Sequence, residues 1–166
     1  FTNRYLNMPV KAGAPRCRMS IEIGGEVVRA FEVELAADEI DFWTFMDVSA
    51  WRGQSAMIKL SSVPDTQDAE HPMPEGALEV LELSEEIKDA AQLYREALRP
   101  QFHFTARRGW HNDPNGMVYY EGEYHLFYQH QPFSVSSFTD KSWGYAVSRD
   151  LVHWEERPIA LYADHE

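Results

Sequence analysis

One cysteine, no long apolar run and a shortage of basic residues set the first limits on this chain. Cys17 alone cannot close an intrachain disulfide, and with no cysteine or histidine cluster beside it a multi-thiolate metal site is excluded. No apolar run approaches the roughly 18 residues that a bilayer-spanning helix needs. The chain opens on Phe1-Thr2-Asn3, without an initiator Met or a signal-peptide pattern, and reads as a trimmed or mature start. Lys and Arg number 15 against 27 Asp and Glu, a net charge of −12. Such a surplus repels phosphate backbones and anionic lipid, so nucleic acid and membrane surfaces are poor partners. What is present, 166 residues of which 44% are hydrophobic and 25% charged, is the balance of one ordinary globular domain or two small ones.

The chemistry changes along the chain. Up to Ala97 there are 9 basic and 18 acidic residues against 6 and 9 beyond it, whereas Phe, Tyr and Trp number 8 before and 14 after. In the first part, short apolar-alternating runs at 18–23, 27–35, 42–48, 56–60 and 77–83 are separated by turn residues, the pattern of a small all-β sandwich. Gly24-Gly25 suits a hairpin turn that needs positive φ. Residues 63–76, with three prolines and several acids, read as an exposed loop. From Ser84 the apolar period lengthens: Ile87, Ala90, Ala91, Tyr94, Ala97 and Leu98 fall on one helical face between an N-cap serine and Pro100, which predicts a short helical linker over 85–98. Beyond it, strands are expected at 117–120, 124–130, 143–148 and 152–155, with Glu121-Gly122-Glu123 as a three-residue hairpin loop. Four consecutive antiparallel strands make a meander the size of one propeller blade. The domain reading is therefore a sandwich over 1–83, a helical linker over 84–98 and a blade-forming domain over 99–166.

The most informative stretch is Trp110-His111-Asn112-Asp113-Pro114-Asn115-Gly116. On its own, Asp-Pro-Asn-Gly is a turn signal, because Asp bonds the backbone two residues on, proline presets φ and Asn-Gly tolerates positive φ. The same residues serve chemistry equally well: Pro114 drives Asp113 out of the α region, so its carboxylate sits at a strand start, aimed rigidly enough for a nucleophile.

The surrounding text resembles glycoside hydrolase family 32, the β-fructosidases that include invertases, levanases and inulinases. The resemblance is carried by Arg99-Pro-Gln-Phe-His-Phe-Thr105, by the motif from Trp110 to Gly116, by Gly122-Glu-Tyr-His-Leu-Phe-Tyr-Gln129, and by Trp143-Gly-Tyr-Ala-Val-Ser-Arg-Asp-Leu-Val-His-Trp154 running into Pro158-Ile-Ala-Leu161. It implies that 99–166 is the first blade of a five-bladed β-propeller whose central pocket takes a terminal fructofuranosyl unit of a fructan or sucrose. It implies a retaining double displacement with Asp113 as nucleophile, Asn112 hydrogen-bonded to the sugar, Gln129 beside the nucleophile and Trp110 as part of the apolar wall. No metal and no cofactor are implied. The first part looks like the β-sandwich module that precedes the catalytic domain in some bacterial levanase-like members, and the whole like the front of an exported enzyme.

Departures from the family pattern are equally specific. His111 stands where an apolar residue is usual, Gln131 where Asn precedes the proline, and residues 133–141 replace a second Trp-Gly, with Phe138 as the available aromatic. The chain ends at Glu166, before the family's Arg-Asp-Pro and Glu-Cys motifs, and no Glu in it matches the acid/base, so this chain by itself is expected to be nearly inert. Glu155, Glu156, Asp164 and Glu166 read as a solvated strand end and tail, and Arg107-Arg108 as an exposed pair. His103, His125, His130 and His153 read as hydrogen-bonded sheet histidines. Trp143 and Trp154 are expected in a blade core, and Trp43 and Trp51 in the sandwich. Two other readings remain open on the residues alone: a propeller glycosidase inverting arabinan or xylan, and a noncatalytic carbohydrate-binding or assembly module.

Overall fold

The computed structural model describes residues 1–63, 76–135 and 140–163. It is all-β, in two units, Phe1–Ala90 and Ala91–Glu166. The loop expected over 63–76, Phe138, Asp164 and Glu166 lie wholly or almost wholly outside the described residues.

The first unit is a small sandwich of two three-stranded antiparallel sheets. Strands β1 (Tyr5–Val10), β4 (Phe42–Asp47) and β6 (Glu82–Ser84) form one, in the order β4-β1-β6. Strands β2 (Cys17–Ile23), β3 (Glu26–Val33) and β5 (Ala56–Ser62) form the other, in the order β3-β2-β5. In β2 the buried residues are Cys17, Met19 and Ile21, every second one, so a single face of this strand enters the core. The central strand β1 is instead buried from Leu6 through Val10 without interruption, which is why a search for alternation passes over it. Pro9 lies beyond the pairing to β6, which covers only Tyr5, Leu6 and Asn7, and although it has no N–H to donate, its carbonyl accepts the N–H of Ala36 at 3.0 Å. Gly24 and Gly25 take φ of 61° and 90° and turn β2 into β3 as the sequence predicts.

Two expectations for this region give way. Residues 77–83 are mostly turn, and only Glu82–Ser84 pairs as strand. The helix expected over 85–98 is absent: one 3-10 turn, Ala90–Gln92, is all that forms. Asn7, fully buried, takes the carbonyl of Glu86 on its Nδ2 at 3.1 Å and the N–H of Lys88 on its Oδ1 at 2.9 Å, groups a helix would need for its own ladder. Asp89 and Tyr94 then adopt φ of 55° and 62°, left-handed values that interrupt any helix.

The second unit is one four-stranded antiparallel meander, β7 (Trp110–Tyr120), β8 (Glu123–Gln131), β9 (Ser142–Ser148) and β10 (Trp154–Leu161), in the order β10-β9-β8-β7. The β7–β8 loop is two residues rather than three: Tyr120 pairs with Glu123, and Glu121 and Gly122 take φ of 50° and 86°. The last strand starts at Trp154 rather than 152, because Asp150 Oδ1 accepts the N–H groups of Val152 and His153 and folds 148–153 into a turn. One face of the sheet packs Tyr128 and Ala146 against Ala106, with Phe104, Leu126 and Trp154 around them. Gly144 lies opposite Tyr128, and a Cβ there would stand 2.3 Å from the Tyr128 ring, so the bare backbone is what lets the ring lie across β9.

Candidate active site

The motif forms no turn. It lies inside β7, where neither Asn115 nor Gly116 takes positive φ, and the turn-forming residues are absorbed as two β-bulges. His111 pairs with His130 and Pro114 with Tyr128, so Asn112 and Asp113 together oppose the single residue Gln129. Gly116 then pairs with Phe127, leaving Asn115 as a second extra residue. A bulge bends its strand and re-aims the side chains within it. The strand register thus sets Asn112 and Asp113 opposite Gln129, with Trp110 opposite Gln131 two positions further along β8. Asn112 and Asp113 are exposed, Trp110 and Gln129 half-buried.

The entry to β7 is held firmly. The N–H of Trp110 donates to Ser134 O at 2.9 Å, and Trp110 O accepts His130 Nδ1 at 2.8 Å. A carbonyl can only accept, so this nitrogen of His130 carries the proton. Lys141 Nζ stands 5.7 Å from the centre of the Trp110 ring. Gly109, at φ 78°, passes so close that a Cβ would meet Gln131 O at 2.3 Å. Gln131 is buried, its amide donating to Asp140 O at 3.0 Å, so this departure from the family pattern ties one loop to the end of β8.

Behind β7, Arg99 organises the segment leading into it. Its Nη1 donates to Thr105 Oγ1 at 2.8 Å and Ala106 O at 2.7 Å, while Nε and Nη2 bond the Glu96 carboxylate, each at 2.9 Å. Arg108 joins the same carboxylate at 2.6 Å, and Arg107 pairs with Glu156. The arginine pair is therefore not an exposed one, and Glu156, with a side chain 10% exposed, is no solvated strand end; Glu155, at 67%, is. Nothing in the local sequence around either partner signals a pairing across 49 positions.

The remaining candidates divide. Trp154 packs on the blade core, whereas Trp143 is exposed, near Phe127. Trp43 and Trp51 are half-buried beneath Lys88 and Arg29. His125 Nδ1 lies 2.7 Å from Tyr145 Oη and His153 Nδ1 2.6 Å from Asp150, while His103 is exposed. Among the described residues no three His, Cys, Asp or Glu converge as metal ligands do. A shallow hollow of about 270 Å³ at the Glu123 end of the sheet contains none of the four predicted site residues, and its Arg149, His153 and Arg157 are each paired with an acid.

Comparison with known proteins bears on this strand directly. Residues 103–166 match the glycosyl hydrolases family 32 N-terminal domain. The chain is 58% identical over 73 residues to a levanase of Bacillus subtilis, a match covering 44% of this chain and 11% of that protein. It is 49% identical over 70 residues to an extracellular exo-inulinase of Aspergillus awamori, covering 42% of this chain and 13% of that one. Against the crystal structure of the exo-inulinase from Aspergillus awamori the TM-score is 0.40, at 48% identity over 42% of this chain and 13% of the other. The chain therefore spans about an eighth or less of these relatives' length.

Proposed function

We propose that this chain contributes the nucleophile-bearing part of an exported β-fructosidase, which hydrolyses terminal β-fructofuranosyl linkages in fructan or sucrose with retention. One observation carries the reading: within the family 32 segment, a doubly bulged strand sets Asn112 and Asp113 against Gln129. The relatives named levanase and extracellular exo-inulinase support the substrate class and the export. Among the described residues no helix is long and apolar enough to cross a membrane.

In this reading an oxygen of the Asp113 carboxylate attacks the anomeric carbon of the fructosyl unit. The bond to the leaving oxygen breaks as that oxygen receives a proton from a second carboxyl, about 5 to 5.5 Å from the first. The second carboxyl, now a base, takes a proton from water, whose oxygen displaces Asp113 and returns the anomeric carbon to its starting configuration. Asn112 and Gln129 hold the sugar and the nucleophile in line, Trp110 walls the ring, and no cofactor or metal takes part. The acid/base lies on a part of the protein outside this chain, β7 to β10 form the first blade of a five-bladed propeller, and 1–83 is an accessory sandwich. The chain alone is then nearly inert.

The test is Asp113→Asn in protein that contains the second carboxyl, with fructose release from levan, inulin and sucrose as the readout. Release falls by several orders of magnitude while the far-UV spectrum stays unchanged. Turnover close to that of the parent removes Asp113 from the role, and products of inverted configuration make it a base rather than a nucleophile.

A further inference from the structure

Two histidines stand across from each other at the start of the strand that carries Asp113. His111 on β7 and His130 on β8 are directly opposite in register, one residue before the bulge formed by Asn112 and Asp113. Side chains directly opposite on an antiparallel pair share a face, here the face that holds Tyr128. The Tyr128 ring lies 6.1 Å from that of His111 and 5.3 Å from that of His130, and Phe104 closes on His111 at 6.1 Å. His130 is 2% exposed, and its protonated Nδ1 is spent on the Trp110 carbonyl, the residue immediately before His111. We propose that the His111–His130 pair is an acid-sensitive clasp: neutral, it locks the entry of β7; protonated, it loosens the bulge that presents Asn112 and Asp113.

The electrostatics run the same way. A proton added to His130 places a charge where water does not reach, and one added to His111 sets a like charge straight across from it, both unfavourable. Burial lowers the pKa of both rings; Arg99 adds to this for His111, and for His130 the bond to the Trp110 carbonyl works against it while His111 and Arg107 add to it. Glu156 is the opposing acid for both, and it is already committed to Arg107. Lys141, over Trp110, brings a further positive charge to the same end of the strand. With folded-state pKa values below the unfolded ones, the pair's contribution to stability is complete above about pH 6.5 and is lost as the pH falls towards the folded-state values.

The clasp stands on this chain alone; only its consequence for fructose chemistry rests on Asp113 being the nucleophile. It is therefore tested without activity, by NMR titration of the whole chain from about pH 8 to pH 5. Expected are imidazole titrations of His111 and His130 below about 6.5, with the amide shifts of Asn112, Asp113 and Gln129 moving along the same curves. His111→Leu should delete the His111 step and raise the His130 pKa towards its ordinary value. Should that variant fail to fold, the parent titration decides by itself. Histidines titrating at 6.5 or above, or bulge amides that stay still as they titrate, overturn the proposal; so does an unchanged His130 curve in His111→Leu.

Discussion

Glu156 gives both carboxylate oxygens to one residue. Oε2 accepts the backbone N–H of Arg107 at 2.7 Å and Oε1 accepts its Nε at 3.1 Å, joining β10 to the segment that enters β7. Replacing it with Gln leaves one acceptor oxygen and turns an amide donor against an arginine donor. Glu156→Gln should cost about 1–3 kcal/mol, read as a lower urea midpoint for the amide resonances of β9 and β10, with those of the first unit unmoved.

Gly144→Ala puts a methyl into the Tyr128 ring, the nearest ring atom being 2.3 Å from the new carbon. Overpacking of this kind costs about 1–3 kcal/mol. Because the conflict belongs to the pair, Gly144→Ala combined with Tyr128→Leu should cost less than the two changes summed. Strict additivity in a denaturation series would show that the ring moves aside freely.

Glu96 is held at about 2 by its hydrogen bonds to Arg99, with Arg108 assisting. A carboxylate lowered in the folded state stabilises it above the unfolded value and loses that contribution as the pH falls towards about 2. The thermal midpoint of the parent should therefore drop more steeply between about pH 5 and pH 2.5 than that of Glu96→Gln. The Glu96 side chain is 38% exposed, so added salt should shrink the difference. Parallel curves would mean that the arginines gain nothing from this acid.

Asn7→Ala removes both bonds to the 86–88 backbone and leaves a carbonyl and an N–H without their partner. A loss of about 1–3 kcal/mol is expected for the first unit, with hydrogen exchange at the Lys88 amide faster than in the parent. If Lys88 keeps its protection, some other group holds that segment.

How much of this was legible depended on how local the cause is. Gly24-Gly25 turned a hairpin as its residue chemistry demands, and β2 alternates because one of its faces is wet. Strand β1 was invisible because it is buried on both sides, and the linker looked helical because its apolar spacing is helical while its competitor, Asn7, lies some 80 positions away in sequence. At the site, the residue types in the motif were readable, but Asp-Pro-Asn-Gly spoke for a turn, and only pairing to β8 converts it into bulges. The burial of Glu156 and the tautomer of His130 are likewise long-range effects that no neighbouring residue announces.

The two extra residues of β7 also constrain what length changes this segment tolerates. His111 and Met117 are six positions apart and their partners His130 and Leu126 four apart, both even intervals, so the first insertion reverses the inside-outside parity of the strand and the second restores it. Losing a single codon anywhere between them would turn one end of the strand over, exchanging covered for uncovered side chains along it. Losing two would shorten the strand and spare its facing, at the expense of Asp113's placement. Among homologous sequences, gaps here should therefore come in pairs or not at all.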